Sequence, residues 1–257
     1  KYYEKGVHNL YLRGTAKDDI ADFYSTGYTT NNSISISGGT EKIQTYASYS
    51  NSHSQGMIET NKYNRNTFAF RQTYRLWDRL TFNVNVNYMQ TKTQNRISGG
   101  RIFNPIYDIY TASRDIDMDY YKKNYEIAEG AWKSSNSTDS YWSLNADGNY
   151  VQNTGTYAVL NGPMQNWAHQ ATKTNNPYWL LNKNFSESRE DRFFASFQAN
   201  YEVIKGLNLQ ARVSLDHSKY NDEGGRYATT MSVENMERYG VYWLNNTDFI
   251  FKAVPAS

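Results

Sequence analysis

The chain has 257 residues, and 27 Lys and Arg against 25 Asp and Glu leave a formal net charge of +2. That balance excludes a global electrostatic pull toward nucleic acid, and an aromatic content of 16% excludes disorder of the charge-driven kind. The absence of cysteine excludes disulfide scaffolds, thiolate metal sites and Cys nucleophiles. No run approaches the 18 apolar residues of a membrane helix, but a transmembrane strand needs only about 9–11 residues of alternating character.

In chain order, Lys1-Tyr2-Tyr3-Glu4-Lys5 has no basic stretch followed by an apolar core, so it is no signal peptide; the alternatives are a mature form that has lost one and an internal piece of a longer protein. Residues 16–24 read as a short helix. Ser33 to Ser37 and Ile43 to Tyr49 read as two strands around a turn at 38–41. Phe68, Phe70, Gln72, Tyr74 and Leu76 then alternate with Thr67, Ala69, Arg71, Thr73 and Arg75. After Trp77-Asp78-Arg79 comes the clearest segment, Leu80 to Tyr88. Its even positions are apolar, and its odd positions are Thr81 and the ladder Asn83, Asn85, Asn87. A second helical stretch is expected over 119–131. Phe193 to Val203 and Leu207 to Leu215 form a second clean hairpin around Lys205-Gly206, and a seventh strand is expected between Tyr239 and Phe251.

Between these strands lies a segment too long for a simple connection, residues 94–190. It holds four of the six Trp, and nine basic residues against ten acidic ones. Rings among Asn, Gln and Tyr hydroxyls suit a neutral polar ligand through stacking and hydrogen bonds. They suit packing against a protein partner equally well. Trp132, Trp142, Trp167 and Trp179 are the candidate contacts for ligand or partner. Asp115, Asp117, Asp119 and Glu126 fall at positions 1, 3, 5 and 12 of an EF-hand-like loop, but Tyr120 stands where that loop requires Gly, so a solvated acidic loop is the better reading. His8, His53, His169 and His217 show no metal spacing. No phosphate-binding, nucleophile-elbow or metalloprotease motif occurs. The expectation is no catalytic residue, no metal and no cofactor.

Short and long connections alternate strictly: 38–41, about 52–62, 77–79, about 93–191, 205–206, and 218 onward. An outer-membrane barrel places all its short turns on the periplasmic side and all its long loops outside. A soluble antiparallel sandwich has no reason to segregate loops so, although polar/apolar alternation alone fits it equally well. Leu80 to Tyr88 extends ~26 Å, or ~20 Å of membrane at a ~40° tilt, near the ~25 Å apolar band of such barrels. Asn83, Asn85 and Asn87 would then face the lumen, and Tyr74, Trp77 and Tyr88 would form girdles. Six or seven strands cannot close, and an open edge cannot sit in lipid. The expected fold class is therefore all-β: a segment of a large antiparallel transmembrane β-barrel with a long extracellular loop.

Residues 19–39, from Asp19-Ile20-Ala21-Asp22-Phe23 through Thr26-Gly27 to Ser35-Ile36-Ser37-Gly38-Gly39, resemble the junction between plug and first barrel strands in SusC/RagA-type TonB-dependent transporters of the Bacteroidota. Thr45 to Ser50, Gln55 to Ile58 and Lys62 to Arg65 are similar to that family's next strand, loop and strand start. Asn176-Pro177-Tyr178-Trp179, ahead of Phe185 and the Arg192 strand, is similar too. The resemblance covers most of residues 19–217. It implies a plug inside a 22-stranded barrel in the outer membrane, a SusD-like surface lipoprotein closing over it, and energy from TonB through a region absent from this chain. The implied organisation is a plug-to-barrel junction at 1–30, barrel strands at 31–92, the long extracellular loop at 93–191, a barrel hairpin at 192–217, and a further loop and strand at 218–257. The expected function is part of an importer of oligosaccharides. The alternatives are an importer of peptides and a secreted carbohydrate-binding β-sandwich.

Overall fold

The computed structural model describes residues 20–97, 99–101, 103–112, 116–127, 132–134, 140–144, 150–154, 157–159, 163–167, 174–230 and 240–253. A single 3-10 turn, Ala21–Phe23, precedes the strands β1 (Tyr28–Gly39), β2 (Ile43–Gln55), β3 (Lys62–Trp77) and β4 (Leu80–Gln94). An insert follows: α1 (Pro105–Thr111), α2 (Met118–Lys123), β5 (Glu126–Ile127), β6 (Trp132–Ser134), β7 (Ser140–Leu144), β8 (Tyr150–Thr154), β9 (Tyr157–Val159), β10 (Met164–Gln165) and α3 (Pro177–Lys183). The chain then resumes with β11 (Phe185–Ile204), β12 (Leu207–Arg226) and β13 (Val241–Ala253).

The long strands form one antiparallel sheet in the order β1-β2-β3-β4-β11-β12-β13. The insert therefore does not interrupt pairing: Tyr88 of β4 sits opposite Phe193 of β11, and Val84 opposite Phe197. The alternating segments keep the expected register, because slipping by one residue would exchange the two faces completely. At the turn between β11 and β12, Gly206 adopts φ +92°, a conformation that side-chain-bearing residues rarely take. All three tight turns lie at one end of the sheet. The other end carries residues 20–27, the 56–61 connection, the insert and the 227–240 connection.

Several strands run past the expected ends. β4 continues from Tyr88 to Gln94, β2 from Tyr49 to Gln55, and the β11–β12 hairpin reaches from Phe185 to Arg226. In these extensions both faces are polar, so no hydrophobic alternation marks them. The helix expected over 16–24 reduces to the 3-10 turn, with 16–19 outside the described residues. The helix expected over 119–131 is only α2. Asn124 ends it by donating its backbone N–H to Tyr120 O (2.9 Å) and its side-chain amide to the same oxygen (3.0 Å), and β5 follows at once.

The insert is a packed unit rather than a loop. α1, α2 and α3 are each opened by a side chain that accepts a hydrogen bond from the first turn: Asn104 from Ile106 N, Asp117 from Tyr120 N, and Asn176 from Tyr178 N. Pro105 and Pro177 occupy the first helical positions, where a missing N–H costs nothing. β5 pairs with β10, β6 with β9 and β7 with β8, so the middle of the insert is one long nested ribbon. Its base is anchored by the buried Ile127 and Met164. The buried core lies here and not in the sheet: Phe23, Ile58, Ile109, Ile116, Met118, Tyr121, Trp167 and Tyr178 form one cluster. Phe23 and Ile58 come from the segment before β1 and from the β2–β3 connection. Residues 20–27, expected within the plug-to-barrel junction, thus lie at the long-loop end and supply part of the insert's core.

Candidate functional site

The sheet has two faces of opposite chemistry. On one, a single register row runs Ile34, Tyr49, Phe68, Tyr88, Phe193, His217, Ile250. From this row to the tight turns the face is mostly apolar, with Thr45, Gln72 and Lys252 as exceptions: Phe70 and Tyr74, Val86, Val84, Phe82 and Leu80, Ala195 to Tyr201, Leu215 to Leu207. Phe82 and Phe197 stack there with centroids 5.5 Å apart. None of these side chains is buried, and many are exposed; Ile34 and Ile36 are more than 70% exposed. One step the other way the same face turns wholly polar, in the row Asn32, Asn51, Asn66, Gln90, Asp191, Lys219, Asp248. The tyrosines bridge the two rows. Tyr49 Oη donates to Asn66 Oδ1 (2.8 Å) and Tyr88 Oη to Asp191 Oδ1 (2.6 Å). Rings below and hydroxyls above are what an interface between hydrocarbon and water selects.

The opposite face is a hydrogen-bonded polar wall. Thr73 Oγ1 donates to Asn83 Oδ1 (2.9 Å), Asn87 Nδ2 to Asn85 Oδ1 (3.2 Å), and Arg212 Nε to Gln198 Oε1 (2.9 Å). Asn83, Asn85, Ser196, Gln198 and Arg212 surround an open depression of about 320 Å³.

A buried amide network fastens the insert to the end of β12. Gln165 Nε2 donates to Thr229 O (2.6 Å) and Asn175 Oδ1 (3.1 Å), and Gln165 N donates to Thr229 Oγ1 (3.1 Å). Asn176 Nδ2 donates to Asn166 O (2.8 Å) and Tyr121 O (3.1 Å). Gln165 and Asn176 are fully buried, so each bond is formed away from competing water. Asp108 of α1 is also buried. It accepts a backbone N–H from Asn175, while its Oδ2 has no partner, and burial pushes its carboxyl up to about 7 against the weaker pull of Arg101.

Where β11, β12 and β13 reach the insert lies a half-open cavity of about 270 Å³. Phe103, Leu180, Phe185, Trp243 and Arg226 are among its walls.

No family model matches the chain. Over 147 residues it is 26% identical to the TonB-dependent receptor SusC of Bacteroides thetaiotaomicron, a stretch covering 54% of this chain and 14% of that protein. The RagAB peptide importer in its closed-closed state superposes with a TM-score of 0.59 at 16% identity, covering 93% of this chain and 23% of the other. Its open-open state gives 0.59 as well, over 91% and 22%. The chain has the fold of a segment of the RagAB structures. It spans less than a quarter of the length of these relatives.

In this segment the residues expected to act fall into three groups. Asn83, Asn85 and Asn87 all stand on the polar face. Trp132 and Trp142 lie on the ribbon, in β6 and β7. Trp167 and Trp179 differ from the expectation: they are 3% and 0% exposed. Trp167 packs edge-on against Tyr121 (5.3 Å) and donates Nε1 to Thr174 Oγ1 (2.9 Å), and Trp179 donates Nε1 to Thr230 Oγ1 (2.9 Å). Neither ring presents a face to a ligand here, because both are needed to fill the insert. The acidic spacing likewise gathers no cage. Asp117 caps α2, Glu126 pairs with Lys183, and Asp115 lies outside the described residues. Asp119 sits in α2, one turn away from the strand that holds Glu126. Among the described residues no cluster of three metal-ligating side chains occurs. Sequence reasoning missed Arg226 and the Gln165–Asn176 network. The Asn-Pro pairs at 104–105 and 176–177 were the available signal for the helices that build them.

Proposed function

We propose that the chain is wall and external insert of a TonB-dependent outer-membrane importer that takes up oligosaccharides with a SusD-like surface lipoprotein. One observation carries the importer reading: a sheet whose outer face changes from rings to amides along one register row, backed by a polar wall. That combination suits lipid on one side and an aqueous lumen on the other, with Asn83, Asn85 and Asn87 in the lumen. The mechanism is binding and gated passage, with no bond made or broken, driven through TonB by parts of the protein outside this chain. The insert stands at the end where a surface lipoprotein would close. Its Tyr, Trp and amides support a polyhydroxyl ligand.

A peptide importer is the second reading, supported by the structural likeness to the RagAB peptide importer. Uptake by cells expressing the full-length protein separates them. Labelled oligosaccharides are expected to enter in a TonB-dependent manner while labelled tripeptides stay out. The reverse result favours the peptide reading, and TonB-independent uptake of both rejects the importer.

A further inference from the structure

We infer that the cavity at the rim is a carboxylate-recognition subsite built around Arg226. The guanidinium carbon of Arg226 lies 4.3 Å from the centroid of Phe103 and 5.3 Å from that of Trp243. Two rings therefore lie within cation–π range of the group. Its N–H fork is of the kind that matches a carboxylate bidentately. Its Nε is buried without a partner.

The nearby acids do not neutralise it. Asp222 accepts from Trp243 Nε1 (3.2 Å) and Ser188 Oγ (2.9 Å), and Glu223 accepts from Tyr242 Oη (3.1 Å). No ion pair to Arg226 occurs among the described residues. A half-buried cation without a counter-charge is costly unless something supplies one.

The backbone is shaped for this arrangement. A Cβ on Gly224 would stand 2.0 Å from the Trp243 ring, and one on Gly225 would stand 2.6 Å from Phe185. Gly224, two residues before Arg226 and on the same face of β12, thus lets the Trp243 ring lie directly on the strand beside the guanidinium, while Gly225 admits Phe185 on the other face. At about 270 Å³ the cavity is smaller than the ~300–1,000 Å³ of complete small-molecule sites, so it takes one terminal unit of an oligomer. That this unit belongs to a transported molecule rests on the importer reading. A free peptide C-terminus and a uronic acid share the required chemistry, a carboxylate next to a compact body that can lie against rings.

The test uses the full-length protein in detergent and four probes: trialanine, trialanine amide, trigalacturonate and its methyl ester. Calorimetry on the wild type is expected to show one acid binding at least ten-fold tighter than its neutral twin, and which pair does so identifies the source of the carboxylate. Arg226→Gln is expected to abolish that preference, and Arg226→Lys to keep part of it. Equal affinity for acid and neutral twins in the wild type, a comparison that needs no variant, overturns the proposal. So does a preference that survives Arg226→Gln. Whole-cell uptake of the same probes is scored separately. An acid preference in binding together with TonB-independent uptake leaves the subsite standing and removes the importer reading, whereas TonB-dependent uptake without acid preference removes the subsite alone.

Discussion

Trp179 donates its indole N–H to Thr230 Oγ1 at 2.9 Å, and both residues are fully buried. The bond joins the last helix of the insert to the segment after β12. Thr230→Val leaves the indole donor buried and unpaired, at a cost of about 1–3 kcal/mol. Trypsin should then cut the insert faster in membrane-embedded protein, while the heat-modifiable mobility of the barrel stays unchanged. Equal cutting rates in variant and wild type would show that this bond does not hold the insert down.

The two faces predict opposite tolerance to charge. Val84, opposite Phe197 on the apolar face, should cost ~2–4 kcal/mol when replaced by Arg, as expected near a bilayer midplane. Asn87→Arg, whose paired neighbours are Ala69 and Phe194, should cost much less. Equilibrium unfolding from lipid vesicles measures both, and similar losses would reject the assignment of faces.

The four Trp should separate into two classes. Trp167→Ala and Trp179→Ala remove rings that fill the insert and should destabilise it by roughly 3–5 kcal/mol. Trp132 and Trp142, on the ribbon, remain the candidate contacts for ligand or lipoprotein. A stacked ring is worth ~2 kcal/mol, or ~30-fold in affinity. Trp132→Ala or Trp142→Ala should lose that much ligand binding or lipoprotein co-purification with no loss of protein from the membrane. Wild-type behaviour of both would leave the ribbon without a binding role.

Asp108 makes the insert sensitive to pH. Its folded pKa, about 7, lies above the unfolded carboxylate value of about 4. A raised folded pKa gives a contribution that is full below about pH 4 and is lost as pH rises to about 7, because the unfolded chain releases the proton first. Hydrogen exchange of α1 should therefore quicken between pH 5 and pH 7.5 once corrected for intrinsic rates. Asp108→Asn should flatten that slope and protect α1 at pH 7.5. A slope unchanged by the substitution would assign the pH response to another group.

The sequence was most legible where one face of a strand is apolar. Phe82, Val84 and Val86 against Asn83, Asn85 and Asn87 carry the period, the face and the turn position together. The signal fades at Gln90, Lys92 and Gln94, where both faces meet water and hydropathy no longer alternates, although pairing continues to Glu187. Inside the insert the helices are only six or seven residues long, too short for a helical period. Their trace is the capping chemistry of Asn104-Pro105, Asp117 and Asn176-Pro177. Burial of Trp167 and Trp179 had no local signature, since an aromatic residue that packs and one that binds are the same residue type. Arg226 gains its meaning from Phe103 and Trp243, which are distant in sequence and join it only through the fold.

The strand extensions set a standoff height. β4 climbs from Tyr88 to Gln94 beyond the ring row, and β11 covers the same stretch from Phe193 back to Glu187. Six steps of ~3.3 Å make ~20 Å along the strand, or ~15 Å vertically at a ~40° tilt. The strands thus form a hydrophilic parapet, braced by Lys92–Glu187 (2.8 Å) and Arg189–Asp191 (2.7 Å), that carries the insert above the level of the rings. A long polymer could offer its end at the rim cavity while the rest of it stays clear of the headgroup layer.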